Sequence, residues 1–288
     1  MGAHIHSVPA VISAEPCEVA VRPAPPALKP YVLGFSGFRS GSGCPVEHLL
    51  LPLASTTVIV DFGSPSGIVS GAREVATTRG GTSWGHGVSV GLTPLGVGTL
   101  LGVPMRELGE SSVALADLLG PAATELPGRL GAAGGWGERF DLLEAVLEAA
   151  LQGLGAGVRL RGARSVTPEP AVLTAWRRLQ SDSRPTVERL AGELGVTRRR
   201  LERGFRRHLG MSPATVARIA RFQRVVGRLG AGAALSDAAA DSGYADHPHL
   251  ARETRAMTGL TPTALAAHLR TPPLTVSHSS KTGGARRS

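Results

Sequence analysis

Arginine side chains crowd one short stretch of the chain in a pattern that suits binding of a polyanion. Between residues 198 and 208, the apolar Leu201 and Phe205 stand four positions apart, which is the spacing of one helix face. The other positions are mostly charged: Arg198, Arg199, Glu202, Arg203, Arg206 and Arg207. A guanidinium binds phosphate oxygens and, in bidentate geometry, the O6 and N7 acceptors of guanine. The spacing therefore predicts an amphipathic helix with a nucleic-acid-binding face, with a solvated charged face as the alternative interpretation.

Much of this stretch occurs twice in the sequence. The first copy contains Ala191, Gly195, Leu201, Arg203, Gly210, Met211, Ser212 and Pro213, and the second contains Ala239, Gly243, Leu250, Arg252, Gly259, Leu260, Thr261 and Pro262. Corresponding residues are 48 positions apart before the turn and 49 positions apart after it, so the second turn is one residue longer. An arginine at the same place in both copies favours nucleic-acid binding over an incidental charged surface.

Each copy has the residue types of a helix, a tight turn and a second helix. In the first copy, apolar residues at helical spacing occupy Val187–Leu194, and Gly195 supplies the positive φ that ends a helix. Thr197 is a suitable cap for the helix that follows, and Pro248 suits the first turn of the corresponding helix in the second copy. We expect these second helices at Arg198–His208 and at about His247–Met257.

A long helix is predicted between the two copies. Ser212 and Pro213 form a cap and first-turn pair, and apolar residues then recur at helical spacing from Ala214 to Leu229. Gly230 and Gly232 end the pattern. Four arginines share one face of this helix: Arg218, Arg221, Arg224 and Arg228. They either contact phosphates or stay in water, and the sequence leaves both interpretations open.

The segment Thr186–Arg270 resembles the C-terminal DNA-binding domain of AraC/XylS-family transcriptional regulators. The most specific matches are Arg200-Leu201-x-Arg203-x-Phe205, Gly210-Met211-Ser212-Pro213, Gly243-Tyr244-Ala245-Asp246, Leu250-x-Arg252 and Gly259-Leu260-Thr261-Pro262. The resemblance implies an all-α domain in which a long central helix joins two helix-turn-helix motifs. It also implies a transcription factor that binds double-stranded DNA in a sequence-specific way.

The resemblance assigns base-reading positions as well. They fall on Arg199, Glu202 and Arg203 in the first helix and on His247, His249 and Arg252 in the second, with Arg198 and Arg206 completing the predicted DNA-binding set. The candidates for contacts to the DNA backbone are Arg207, Arg218, Arg221 and Arg224. Two such helices would enter successive major-groove segments about 34 Å apart. Because the helices differ in sequence, one chain would read an asymmetric site.

Charge and composition agree with this interpretation. The chain has 288 residues and a formal net charge of +9; Arg184–Arg270 holds fifteen arginines and seven acidic residues, so the remainder is almost neutral. Cys17 and Cys44 are too few for a disulfide framework and have no metal-ligand spacing, which indicates a cytoplasmic protein. The longest apolar stretch, Leu49–Val60, is too short and too interrupted to span a bilayer.

The region before Thr186 has a different character. Short β-branched or apolar runs predict strands at Glu47–Leu51, Thr56–Phe62, Gly67–Ser70 and Val88–Leu92. Apolar residues at helical spacing predict helices at Pro94–Leu101, Leu115–Leu119, Phe140–Leu154 and Pro170–Gln180. Strands followed by helices indicate an α+β domain that contains an antiparallel sheet or a small barrel.

The chain is expected to have four parts. They are a loose N-terminal segment at 1–27, an effector or dimerisation domain at 28–182, the DNA-binding domain at 183–270 and a disordered basic tail at 271–288. The segments Pro30–Gly63 and Leu92–Pro104 also resemble the N-terminal part of one AraC-type subgroup, in which such domains are commonly cupin-like. This implies a small-molecule effector, a homodimer or both, and the family's mode of activation implies contact with RNA polymerase.

An enzyme is the alternative class of function. In one alternative, a cupin-like metalloenzyme with a DNA-binding appendage, His48 and His86 hold a metal, but no acidic partner accompanies them. Gly81-Thr82-Ser83-Trp84-Gly85 fits the G-x-S-x-G pattern, yet the flanking residues lack the strand and helix of a nucleophile elbow, so we interpret it as a turn. We therefore expect no catalytic residue, no metal site and no cofactor. A non-specific basic nucleic-acid binder is a third alternative, which the duplicated helices disfavour.

Overall fold

Strands come first along the chain and helices follow. The computed structural model describes residues 4–12, 17–109, 112–153, 166–181 and 183–270, together with the backbone of 273–278. A β-sheet domain precedes a helical domain, which confirms the fold class predicted from the order of the elements.

The strands of the described residues form two sheets. They are β1 (Ser7–Pro9), β2 (Cys17–Pro23), β3 (Val32–Ser40), β4 (Val46–Leu50), β5 (Thr56–Asp61), β6 (Ile68–Ser70), β7 (Ser83–Trp84), β8 (His86–Leu92), β9 (Ser112–Ala114) and β10 (Pro273–His278). The larger sheet has the order β10-β2-β3-β8-β5-β6-β9, and the smaller has the order β1-β4-β7. Neighbouring strands are antiparallel except for β10, which is parallel to β2.

Helices cover one face of the larger sheet. They are α1 (Pro94–Gly96), a π-helical turn (Val97–Leu101), α2 (Met105–Leu108), α3 (Leu115–Leu119), α4 (Ala122–Ala132) and α5 (Trp136–Leu151). The strand register aligns Phe35, Val90 and Val58, and all three are buried. The Phe35 ring lies 6.2 Å from the ring of Phe140 on α5. This apolar layer between sheet and helix is the core of the N-terminal domain.

The C-terminal domain consists of helices. They are α6 (Pro170–Leu179), α7 (Val187–Glu193), α8 (Arg198–Leu209), α9 (Pro213–Gly230), α10 (Leu235–Ser242), α11 (His247–Thr258) and α12 (Pro262–Leu269). The predicted helices of both motifs and of the connecting segment are confirmed with ends within one residue. At the start of α9, the Ser212 hydroxyl accepts a hydrogen bond from the Thr215 N–H at 3.0 Å, and Pro213 is the first helical residue.

The N-terminal segment differs from the loose chain expected for residues 1–27. Its strands β1 and β2 belong to the two sheets, and β2 pairs with β3 along all seven of its residues. Arg22 of β2 is 5% exposed and donates hydrogen bonds to Asp141 at 2.6 Å and to Glu144 at 3.3 Å. The prolines at 9, 16, 23, 25 and 26 suggested loose chain, but Pro9 and Pro23 only end strands, where a missing N–H is tolerated.

The C-terminal tail differs as well, since we expected 271–288 to be disordered. The backbone of Pro273–His278 forms β10, which adds to the edge of the larger sheet beside β2. Without β10, the strand β2 would present unpaired N–H and C=O groups at the edge of the sheet. A segment with β-branched residues such as Thr275 and Val276 is suited to pair with that edge. Residues 271–272 and 279–288 lie outside the described residues.

The other elements predicted before Thr186 are present, and several further elements were missed. The predicted strands correspond to β4, β5, β6 and β8, and the predicted helices to α1 with the π-helical turn, α3, α5 and α6. The nine-residue β3 was missed because its glycines lower strand propensity. Tertiary packing explains the glycine at position 37, because a Cβ there would lie 2.3 Å from the ring of Trp136. The helix α4 was missed because Pro127 and the glycines within it lower helix propensity.

Candidate nucleic-acid interface

In the first helix-turn-helix motif, α7 and α8 meet at a tight turn. Gly195 adopts a φ of +64°, a left-handed conformation that glycine reaches without a Cβ clash. Thr197 caps α8, and its hydroxyl accepts a hydrogen bond from the Arg200 N–H at 3.2 Å. Leu201 and Phe205 are buried on the inner face. The turn, the cap and the buried face predicted for this motif are therefore confirmed.

The outer face of α8 is basic and exposed. Its exposed side chains are Arg198, Arg199, Arg200, Arg203, Arg206 and Arg207. The Arg198 guanidinium donates a hydrogen bond to Glu202 at 2.9 Å and also pairs with Glu188. Both interactions raise the pKa of Arg198, with the Glu202 hydrogen bond as the larger cause. No carboxylate within the described residues pairs with Arg199 or Arg203, so these two cations face solvent.

The second motif repeats this construction with different side chains. Gly243 adopts a φ of +82° after α10. Asp246 caps α11, and its carboxylate accepts a hydrogen bond from the His249 N–H at 2.6 Å. His247 and Arg252 are exposed, whereas the side chain of His249 is 35% exposed. The predicted reading residues of α11 therefore reach solvent at the start and on the outer face of the helix.

A buried carboxylate lies directly behind this face. The Glu253 side chain is 8% exposed. It accepts hydrogen bonds at 2.7 Å from both the Tyr244 hydroxyl and the Arg221 guanidinium. Arg218 lies 3.8 Å from the same carboxylate and His249 lies 3.7 Å from it. Burial, followed by the hydrogen bond to Glu253, raises the pKa of Tyr244. We name these five residues the Glu253 network.

Sequence reasoning missed the Glu253 network, although the sequence contains a signal for it. Glu253 lies three residues after Leu250 and four before Met257, and both of those residues are buried. A carboxylate within the apolar stripe of a helix needs buried partners. The arginines predicted on one face of α9 and the tyrosine after Gly243 are the residues in this chain that meet that need.

The four arginines of α9 all interact with protein groups. Arg218 and Arg221 belong to the Glu253 network. Arg224 donates to the Ser181 carbonyl at 3.4 Å, and Arg228 pairs with Asp241 at 3.1 Å. Contact between Arg218, Arg221 or Arg224 and the DNA backbone stays a prediction.

Comparison with known proteins agrees with the geometry of the two motifs. Residues 190–268 match a family model described as a helix-turn-helix domain. This chain contains an AraC-type helix-turn-helix domain. A search among curated proteins found no match.

Several solved structures are similar to this chain. One is the C-terminal domain of AraT, a response regulator from Geobacillus stearothermophilus, at 21% identity, 41% coverage of this chain, 97% of that chain and a TM-score of 0.33. Another is ToxT from Vibrio cholerae, at 11% identity, 94% and 96% coverage and a TM-score of 0.45. A third is wild-type ToxT with a bound unsaturated fatty acid, from strain SCE256, at 11% identity, 96% and 100% coverage and a TM-score of 0.44.

The N-terminal domain contacts the ends of both exposed helices of the AraC-type domain. Arg106 of α2 donates a hydrogen bond to the carbonyl of Arg207, in the last turn of α8. The N–H of Ala76 donates to the carbonyl of Met257, in the last turn of α11, at 2.7 Å. These contacts lie at the C-terminal ends of the helices, so the outer faces that carry Arg203 and Arg252 stay exposed.

The central helix of the AraC-type domain is also bound to the N-terminal domain. Gln223 of α9 is buried, and its side-chain amide donates to the carbonyls of Pro52 at 2.8 Å and Ile5 at 3.1 Å. Its side-chain oxygen accepts from the Ile5 N–H at 3.2 Å. On α6, the Trp176 indole donates to the Ala54 carbonyl at 2.8 Å. The two domains therefore share buried hydrogen bonds as well as apolar contacts.

The candidate metal and nucleophile residues lie in the N-terminal domain. His48 stacks on Trp84 with ring centroids 4.6 Å apart, and burial lowers the pKa of His48 to about 4. His86 contacts Phe62 and Trp136 instead. The described part of the chain contains no group of three or more potential metal ligands.

The G-x-S-x-G segment differs from the turn that we expected. Ser83 and Trp84 form β7, and the strand β8 follows instead of the helix that a nucleophile elbow needs. The same described residues include no helix with the length and apolarity required to cross a membrane.

Proposed function

We propose that the protein is a sequence-specific transcription regulator that inserts α8 and α11 into neighbouring major-groove segments of one DNA duplex. The observation that carries the proposal is the placement of Arg203 and Arg252. They stand at corresponding positions of two similar motifs, and both are exposed on helices whose inner faces are buried. A pair of exposed basic helices in one AraC-type domain is suited to read two half-sites.

The proposed contacts divide into two reading sets. On α8 they are Arg199, Glu202 and Arg203, flanked by Arg198 and Arg206, and on α11 they are His247, His249 and Arg252. Arginine recognises guanine O6 and N7, and glutamate accepts from cytosine N4. Glu202 now accepts a hydrogen bond from Arg198. We propose that phosphates replace Glu202 as the partner of Arg198 in the complex, because phosphates attract exposed guanidinium groups strongly.

The proposal requires the two half-sites to differ. A selection from random-sequence DNA with purified protein will yield an asymmetric site, and Arg203→Ala and Arg252→Ala will each abolish the preference for a different half-site. One bidentate contact discriminates by about 1–3 kcal/mol, while binding to unrelated DNA persists because the other cations remain. Gel-shift competition with each half-site scrambled in turn measures both effects. Equal preference for intact and scrambled half-sites in the wild-type protein would overturn the proposal.

We further propose that the N-terminal domain binds a small-molecule effector. A cavity of about 390 Å³ lies against the larger sheet, within the size range of small-molecule sites. Ser55 lines the cavity, and its hydroxyl is buried and has no hydrogen-bond partner within the described residues. His6 also lines the cavity, and its neighbour Ile5 is bonded to Gln223 of α9. Repeating the selection with candidate small molecules tests this part of the proposal.

Homodimer formation and contact with RNA polymerase stay predictions from the resemblance. The metalloenzyme alternative is not favoured, because His48 and His86 contact different aromatic side chains.

A further inference from the structure

We infer that Glu253 is a positioning residue for the second recognition helix, and that Arg221 acts through Glu253 instead of binding the DNA backbone. This inference rests on the proposed DNA-binding function. It begins from a difference between the two copies. The offset of 49 places Gly204 in the first copy where Glu253 stands in the second, and the offset of 48 places Val196 where Tyr244 stands. The first copy therefore has no counterpart of the Glu253 network.

The Glu253 network joins two parts of the second motif to the central helix. Arg221 is on α9, Tyr244 is in the turn before the recognition helix, and Glu253 is on that helix. The Arg221 guanidinium also lies 5.0 Å from the centre of the Tyr244 ring, over its face. A buried carboxylate is stable only while such partners remain in place. The network therefore fixes α11 against α9 at one orientation.

That orientation controls the proposed reading side chains of α11. Glu253 follows Arg252 directly and stands one helical turn after His249, whose ring also lies 5.2 Å from the Tyr244 ring. Rotation of α11 about its axis would move Arg252 and His249 together, away from the bases that they are proposed to contact. In the first copy the corresponding place is filled by apolar packing, because Val172 of α6 lies against Gly204. Loss of the carboxylate should therefore affect only the second half-site.

The inference and the alternative make opposite predictions about salt dependence. Each arginine that neutralises a phosphate adds about 0.9 to the slope of log affinity against log salt concentration. If Arg221 stays hydrogen-bonded to Glu253 in the DNA complex, then removing Arg221 leaves that slope unchanged. If Arg221 binds a phosphate, its removal makes the slope shallower by about 0.9.

The experiment uses full-length protein and the duplex selected from random-sequence DNA with the wild-type protein. Dissociation constants are measured at four salt concentrations for the intact duplex and for duplexes with one half-site scrambled. The variants are Glu253→Gln, Arg221→Gln and the matched control Asp241→Asn. The control removes a carboxylate that pairs with Arg228 in an exposed position, so it changes net charge equally without touching the Glu253 network.

We expect Glu253→Gln to lower the preference for the second half-site by about tenfold or more and to leave the first half-site preference unchanged. Its salt slope should become steeper by about 1, because the released Arg221 can then reach a phosphate. Arg221→Gln should also weaken the second half-site preference while keeping the wild-type salt slope. Asp241→Asn should keep both half-site preferences.

Two results would overturn the inference. One is a folded Glu253→Gln protein that keeps the second half-site preference, with folding checked by circular dichroism. The other is an Arg221→Gln protein with a shallower salt slope and an unchanged preference, and this variant decides the matter alone if Glu253→Gln does not fold. A wild-type protein that selects no site contradicts the proposed function itself, so the two failures are distinguishable.

Discussion

The two helix-turn-helix motifs share a turn, a cap and an exposed arginine, yet different neighbours hold them. In the first motif, Gly204 lets Val172 of α6 pack directly on α8. In the second, Glu253 occupies the corresponding position and bonds to Arg221 and Tyr244. Apolar packing thus holds α8, and a buried ionic network holds α11.

Their cores differ in the same way. Leu201, Phe205 and Leu209 of the first motif belong to the large apolar core that continues into the N-terminal domain. Most of the second motif packs around a separate cluster that includes Leu250 and Tyr244. A local motif therefore determines the turn between two helices, while the residues behind the helix determine how it is fixed to the rest of the protein. Substitutions behind each helix can test this difference.

The largest expected effect comes from a substitution in the Glu253 network of the second motif. Glu253→Ala should lower the free energy of unfolding by about 2–3 kcal/mol, because it leaves Arg221 without its carboxylate in a mostly buried place. Arg221 is 30% exposed and can partly rehydrate, which keeps the loss below that of a fully buried pair. Glu202→Ala removes one partner of an exposed ion pair in the first motif. It should change the free energy of unfolding by less than about 0.5 kcal/mol. Denaturant unfolding measures both, and equal losses would contradict the comparison.

The next largest effect on stability comes from a substitution in the apolar contact of the first motif. Gly204→Ala should destabilise the protein by about 1 kcal/mol, because the new Cβ would lie 2.5 Å from Cγ2 of the stiff Val172 side chain. Gly227→Ala, where a Cβ meets nothing within 4 Å, should instead stabilise by about 0.5–1 kcal/mol. Thermal unfolding compares the two variants. The double variant Gly204→Ala, Val172→Ala should cost less than the sum of the single changes, and strict additivity would argue against the contact.

The smallest effect depends on pH. His208 in the first motif corresponds to Met257 in the second, and burial followed by the charge of Arg207 lowers the pKa of His208. The unfolded chain therefore binds a proton more readily than the folded chain as the pH falls below about 6.5, and folded stability decreases. His208→Met removes this contribution, so its stability relative to the wild type should increase between pH 7 and pH 5. Unfolding curves at both pH values measure the difference, and a constant difference would show that His208 does not titrate in this way.

How far the sequence predicts the structure depends on the range of the interactions. The helices on both sides of Gly195 and the helix after Gly243 were predicted closely, because positive φ, capping and apolar spacing act within a few residues. The strands β2 and β3 were missed, since their stability comes from distant partners such as Trp136 above Gly37 and the carboxylates that bind Arg22. Strand propensity alone does not reveal such distant partners.

The amino-acid sequence by itself determined the duplicated motif, the position of each turn and the exposed arginines of both helices. Only the tertiary structure decided that α9 arginines bind Glu253, that Gln223 binds the N-terminal domain and that α6 rests on Gly204. The first set follows from local periodicity and backbone geometry. The second set depends on which surfaces meet after folding, where burying a charge or an amide is favourable only if a partner arrives from elsewhere in the chain.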